Sequence, residues 1–274
     1  MEATLLGTGD TTGTPTPNCD CATCERARER GVERTRFSVH VRNEATGEVL
    51  LVDASPDFRR QFRRENVAFP DAAVITHVHF DHLDGLGNAY RLLEHLPVYA
   101  ADERDPATGE SVAASVDDRY DYLDTITVNP RSPFEPFEAA GFEVTLVPVE
   151  HPPLACYGLR IEEPSTGATL AVSGDTTYGV GADARDVLRD PDLALVEGIV
   201  HADFCERHPA GGDHYAADGT PRTFGTKHMT LRGARDFAAD LGARDYRIVH
   251  AAHFVPPEEA FAEDVAVDGE RFAL

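Results

Sequence analysis

The ten residues THVHFDHLDG, 76–85, carry three histidines and two aspartates. Imidazole nitrogen and carboxylate oxygen suit zinc, manganese and iron, and no thiolate is interleaved among them. His77, His79, Asp81 and His82 lie too close together in sequence to serve one ion without strain. Two neighbouring ions resolve this, with His77 and His79 on one and Asp81 and His82 on the other. Ions roughly 3.5–4 Å apart can share a hydroxide and flank a displacement at phosphorus. Such a pair needs donors from elsewhere in the chain. His151 ends the run TLVPVEH, Asp175 ends LAVSGD and His250 ends YRIVH. A group at the end of an apolar strand stands on a rigid base while the loops around it vary.

The elements that must position these donors are short apolar runs rich in β-branched residues. Strands are predicted at 3–9, 49–55, 72–78, 142–151, 168–175, 193–199 and 246–252, several of them apolar on consecutive positions and so covered on both faces. Helical patterns are predicted at 56–66, 85–96 and 230–242, the last with Thr230 as its cap and Gly242 as its stop. Sheets inside and helices outside follow. At 274 residues, without an internal repeat or a low-complexity linker, the chain is expected to form one domain over 1–274. The polar stretch 201–228 is longer than an ordinary connection and reads as a lid or wall of the site. Arg222 within it is a candidate clamp for a second, non-reacting phosphate.

Three of the five cysteines bunch in NCDCATCERAR as Cys19, Cys21 and Cys24, in a stretch punctuated by glycine and proline. A chain of this size does not use such a group as a disulfide framework. Thiolates at this spacing can occupy three corners of a tetrahedron around a structural zinc. His253, three residues after His250, is the candidate for the fourth corner. Cys156 and Cys205 read as ordinary small residues, although Cys205, His208 and His214 in the long loop offer a further metal contact. His40, His95 and His201 match no pattern.

Acidic residues number 48 against 25 basic ones, of which only Lys227 is a lysine, for a net charge of -23. This repels polyanions, and it is the charge strategy of proteins that work in concentrated salt. A halophilic cytoplasm is therefore expected, and melting temperature against KCl concentration tests it, since a flat profile removes the reading. No stretch approaches the roughly 20 apolar residues of a membrane span, and MEATLLGTGD lacks a basic segment followed by an apolar run. A cytoplasmic protein without membrane contact is expected.

The pattern H-x-H-x-D-H, present as THVHFDH, resembles the signature of the metallo-β-lactamase superfamily. That resemblance implies a four-layered αββα sandwich with a dinuclear site at one edge of its two sheets. It carries His77, His79 and His151 to one metal, Asp81, His82 and His250 to the other, and Asp175 to a bridging position, with Asp53 in a supporting role behind them. The cysteine cluster with His253 is similar to one branch, the phosphoribosyl cyclic phosphodiesterases of the carbon-phosphorus lyase pathway. His228 in KHMT matches the histidine that protonates the leaving oxygen or holds a substrate phosphate, so His228 and Asp81 are the catalytic candidates. The resemblance implies two divalent ions, zinc or manganese, a structural zinc, and hydrolysis of a small cyclic phosphate ester by a metal-bridging hydroxide. Long nucleic acid is not an expected partner, and a homodimer is left open. Competing readings are a nuclease similar to the transfer-RNA 3′ processing enzymes, an oxidase similar to coenzyme PQQ biosynthesis protein B, and a noncatalytic ligand-binding module.

Overall fold

The computed structural model describes residues 1–106, 108–207, 212 and 214–274. Its strands, in chain order, are β1 (Glu2–Gly7), β2 (Ser38–Arg42), β3 (Val49–Val52), β4 (Ala72–Ile75), β5 (Leu96–Ala101), β6 (Ile126–Arg131), β7 (Phe137–Ala139), β8 (Phe142–Val149), β9 (Cys156–Glu163), β10 (Ala168–Val172), β11 (Leu193–Glu197), β12 (Thr223–Phe224), β13 (His228–Met229), β14 (Asp245–Val249) and β15 (Arg271–Ala273). One sheet has the order β15-β1-β2-β3-β4-β5-β6 and the other the order β14-β11-β10-β9-β8-β7, with β12 and β13 forming a separate hairpin. Strands β3 to β6 run parallel, as do β10, β11 and β14. The chain segments that leave the ends of these parallel strands therefore emerge on the same side of each sheet.

Successive strand residues point to opposite faces, and the buried side chains sort accordingly. Leu170, Val172, Leu193, Leu195 and Val249 of the second sheet join Leu5, Val39, Leu50 and Val74 of the first in one apolar cluster. Their neighbours Ala171, Ala194, Val196 and Ile248 face the other way, into a second cluster with helical residues Leu231, Ala234 and Phe237. The helices are α1 (Ala22–Arg30), α2 (Phe58–Glu65), α3 (Phe80–Leu83), α4 (Val112–Tyr120), α5 (Ala182–Leu188), α6 (Leu231–Leu241) and α7 (Pro257–Ala260). Helices α2 and α4 cover the first sheet through Phe58, Phe62, Val116 and Tyr120, while α5 and α6 cover the second. Four layers in the order αββα result.

Local chemistry accounts for the best-defined helix ends. Thr230 accepts the Gly233 N–H at 3.0 Å, and Gly242 closes α6 with φ 71°, as cap and stop residues should. Phe58 and Phe62, one helical turn apart, stack at 4.2 Å on the buried side of α2.

The predicted strands are all present, and those leading to His77, His151, Asp175 and His250 end before these donors. The predicted helix at 85–96 is not. Its place is taken by a 3-10 turn over Asp84–Ala89 and by the first residue of β5, Leu96. Gly85 explains the difference, because a Cβ there would lie 2.0 Å from the Ser55 carbonyl oxygen. Its N–H donates to the Ala54 carbonyl at 2.7 Å, so the apolar spacing of Leu86 and Ala89 serves a turn pressed onto backbone. The cysteine cluster also differs from a plain turn: Cys21 caps α1 and Cys24 lies inside it.

Candidate dinuclear metal centre

Strands β3 and β4 lie side by side, Val52 opposite Val74, so the residues that follow them meet at one edge. Asp53 adopts φ 55°, a region that side-chain-bearing residues seldom enter. Its Oδ1 accepts the Thr76 N–H, and its Oδ2 accepts both the Thr76 hydroxyl and His82 Nδ1, at 2.8, 2.8 and 2.6 Å. A carboxylate only accepts, so Nδ1 of His82 donates and Nε2 is the atom turned toward the cluster. The Thr76 hydroxyl proton is committed to Asp53, which leaves its oxygen to accept from His77 Nδ1 at 3.0 Å. His151 Nδ1 donates to the Lys227 carbonyl at 3.1 Å. In all three imidazoles, Nε2 is thereby left facing inward.

These inward atoms converge. His77 Nε2 and His151 Nε2 lie 3.0 and 3.2 Å from His79 Nδ1. Asp175 Oδ2 lies 3.7 Å from His77 Nε2 and 3.4 Å from the Nε2 atoms of both His82 and His250. Asp81 Oδ2, which accepts the Thr11 hydroxyl at 2.6 Å, is 3.7 Å from His82 Nε2 and 3.6 Å from His250 Nε2. Zinc bonds of about 2.0–2.2 Å in tetrahedral directions place donors roughly 3.3–3.6 Å apart, close to these separations. Nitrogen lone pairs that face one another with no proton to share repel, and a cation between them removes the conflict. The donors fall into two groups able to hold an ion: His77, His79, His151 and Asp175, and Asp81, His82 and His250. Asp175 lies between the two.

The electrostatics divide along the same line. Burial pushes His151 down to about 3 and His77 well below the ordinary imidazole range, so both offer neutral nitrogen. His250 also suffers from burial, yet Asp175 and Asp81 lift it to about 9, and His82 is raised by Asp175 and Asp53. Burial opposes ionisation of Asp175, but His250 and His82 outweigh it and hold the carboxyl well below its usual range. The carboxylates of the second group thus favour positive charge on its imidazoles, the same balance that a divalent ion held there would supply.

Next to this centre lies a pair that reading by motif passed over in part. His228 packs edge-on to His151 and parallel to His250, with ring centres 5.0 and 5.5 Å apart. Its Nδ1 is buried without a hydrogen-bond partner among the described residues and lies 3.3 Å from Oε1 of Glu197, a buried carboxylate that accepts the Met229 and Thr176 N–H groups at 2.9 and 3.1 Å. Burial raises the Glu197 carboxyl, with His228 opposing. Glu197 was not among the sequence candidates. The available signal was a carboxylate ending an apolar strand, LALVE, the same feature that singled out Asp175.

A cavity of about 860 Å³ opens beside His151, with Arg104, Glu150, Tyr157, His214 and Thr226 on its walls. The described part of 201–228 thus contributes a wall. Arg222 is not free to clamp a phosphate, because it is paired with Asp236 at 2.6 Å and stacked over Tyr178. The Cys205 thiol faces the Thr223 carbonyl and His214 Nδ1 the Thr223 hydroxyl, so these two share no donor group among the described residues. His208 lies outside the described residues. His40 is buried, with Nε2 against the Ala68 carbonyl, as a core histidine.

At the other end of the 250–253 segment, the thiols of Cys19, Cys21 and Cys24 lie 3.2, 3.5 and 3.7 Å from His253 Nδ1. These spacings suit tetrahedral sulfur and nitrogen ligation. Burial raises the Cys24 thiol to about 11, whereas hydrogen bonds from the Cys24 N–H and His253 overcome desolvation at Cys21 and lower it to about 7. A thiolate at Cys21 is therefore accessible near neutral pH.

Comparison with known proteins gives a consistent family. The model of the beta-lactamase superfamily domain matches residues 49–251. A diphosphatase of the PhnP family has a crystal structure that superposes with a TM-score of 0.76 at 26% identity, covering 100% of this chain and 97% of that one. Zinc-bound PqqB from Methylobacterium extorquens superposes at 0.77 with 23% identity over the whole of both chains, a likeness of fold. An octanoyltransferase of Porphyromonas gingivalis is 28% identical over 96% of this chain, which spans only 48% of that protein's length. A ribonuclease Z of Mycolicibacterium paratuberculosis is 26% identical over 90% of this chain and 93% of its own. With its fold, its two donor groups and the match over 49–251 in agreement, the chain belongs to the metallo-β-lactamase superfamily, and its likeness extends to the PhnP-like branch.

Proposed function

We propose that this protein is a metal-dependent hydrolase that opens a small cyclic phosphate ester. The observation that supports this most is the convergence of ring nitrogens and carboxylates on two adjacent positions, with His228 beside them and a cavity of small-molecule size next to His151. His77, His79 and His151 would hold one ion and Asp81, His82 and His250 the other, with Asp175 placed between the two groups. Two divalent ions, when bound, activate water at neutral pH and neutralise charge on the phosphoryl oxygens. Asp53, Thr76 and the Lys227 carbonyl keep three imidazoles in the ligating tautomer. His228 donates a proton to the departing sugar oxygen, and the Glu197 carboxylate, 3.3 Å from its Nδ1, stabilises the charged ring. Cys19, Cys21, Cys24 and His253 would hold a structural zinc that braces the segment bearing His250.

A nuclease reading has its own support in the ribonuclease Z relative. The net charge of -23 weighs against a long polyanionic substrate. The test compares ribose cyclic phosphate, bis(p-nitrophenyl) phosphate and a transfer-RNA precursor on the native protein and on His228→Ala. Preferential opening of the cyclic ester is expected, with a loss of about a hundredfold or more in His228→Ala at unchanged metal content. Preferential cleavage of the RNA would replace the cyclic-ester reading, and an unaltered rate in His228→Ala would remove the proton donor.

A further inference from the structure

His77, His82 and His151 each hold a partner with the nitrogen turned away from the centre. His250 differs. Its Nε2 faces Asp175, Asp81 and His82 at 3.4, 3.6 and 3.4 Å, while its Nδ1 is buried without a hydrogen-bond partner among the described residues. Glu197 shows the complementary feature. Its Oε1 accepts the Met229 and Thr176 N–H groups, and its Oε2 is buried and likewise unpartnered among the described residues. The two residues are only 2% and 1% exposed. A carboxylate oxygen and a ring nitrogen left unpaired away from solvent are costly, and folded proteins seldom leave either so.

Both residues line one small cavity of about 10 Å³, which Phe37 and Val249 bound on its apolar sides. Roughly 10–15 Å³ is the space a single water needs where two to four polar groups receive it. Ser173 supplies a third polar wall. Its hydroxyl donates to the Gly174 carbonyl at 2.7 Å and accepts the Glu197 N–H at 2.9 Å, which leaves its oxygen one further lone pair.

We propose that this cavity binds one structural water that accepts the His250 Nδ1 proton and donates to Glu197 Oε2. Ser173 Oγ offers an acceptor for the second proton. The direction of the first bond rests on the metal-dependent reading above, because an imidazole that ligates through Nε2 carries its proton on Nδ1. Glu197 is then a positioning residue for a metal ligand, besides standing beside His228: one carboxylate oxygen lies toward each histidine. Through the water it does for His250 what Asp53 does directly for His82.

The cavity is tested first in crystals of the zinc-loaded native protein that resolve ordered water. One water within about 3.2 Å of both His250 Nδ1 and Glu197 Oε2 is expected. A dry cavity, or a direct bond between the two atoms, overturns the proposal. The role of Glu197 is tested with Glu197→Gln. Its Oε1 position must accept two N–H groups, so the amide oxygen takes that place and the NH2 group turns toward the cavity. The water then faces two donors and loses its carboxylate acceptor. Zinc binding, followed by competition with a chromophoric chelator, should weaken by about tenfold or more at one centre position. The same fall is expected when the change is made in His228→Ala, which separates support of His250 from any effect on His228. Affinity within about twofold of the native value overturns the positioning role. A water in place with no zinc at His250 Nε2 would instead count against the two-ion reading alone.

Discussion

Three imidazoles of the centre, His77, His82 and His151, are oriented by what the other nitrogen holds, and this second contact is where sequence reading stopped short. The ligands themselves were legible, because four crowd into THVHFDH and three stand just past strand ends: His250 one residue after β14, His151 two after β8, Asp175 three after β10. Glu197, Thr76 and the Lys227 carbonyl were not, since a partner that acts through another residue's side chain carries no spacing rule. A pH dependence follows from the same geometry. Without metal, His250 is lifted to about 9 by Asp175 and Asp81 against the pull of burial. The folded state then holds its proton more tightly than the unfolded chain, so this stabilisation is complete below the ordinary imidazole pKa of about 6.5. It is lost as pH rises through about 9, and a divalent ion replaces it. Metal-stripped protein should therefore melt at falling temperature between those limits while loaded protein changes less. Thermal melts with and without chelator check this, and parallel profiles would contradict it.

Among the elements, those with strong apolar periodicity were readable and those held by tertiary contact were not. The runs VLLV, AAVI and LALVE declared β3, β4 and β11, and Thr230 with Gly242 marked α6. Strand β6 carries a proline and is mostly half-exposed, and β9 mixes CYGL with charged residues, so neither stood out. The turn at 84–89 had helical apolar spacing but rests on backbone at Ala54 and Ser55, immediately after Asp53. His82 is tied to the same place, its carbonyl accepting the Ala54 N–H at 2.7 Å. Gly85→Ala drives a methyl into the Ser55 carbonyl, and overpacking of this kind costs about 1–3 kcal/mol. The turn must shift, and with it the contact between His82 and Asp53. Chemical denaturation should show a loss in that range together with weaker metal retention, and a variant with native stability would contradict the account.

At the scale of the whole molecule, the chain's two ends are brought together beneath the site. Cys19 and His253 are 234 residues apart and meet at 3.2 Å, and Thr23 donates to the Val255 carbonyl. The segment between His250 and His253 connects this cluster to the dinuclear centre, and the Ala251 N–H bonds Thr8 at 3.3 Å. The architecture thus predicts three ions of unequal consequence, one in the sulfur site and two in the centre. The most direct test is to strip the protein and titrate it with zinc or manganese while following bound ions per chain and hydrolysis of the cyclic ester together. Three ions should bind, with hydrolysis appearing only as both centre positions fill, and Asp175→Asn should lose most of it. Full hydrolysis in stripped protein, or undiminished hydrolysis in Asp175→Asn, would contradict the two-ion account.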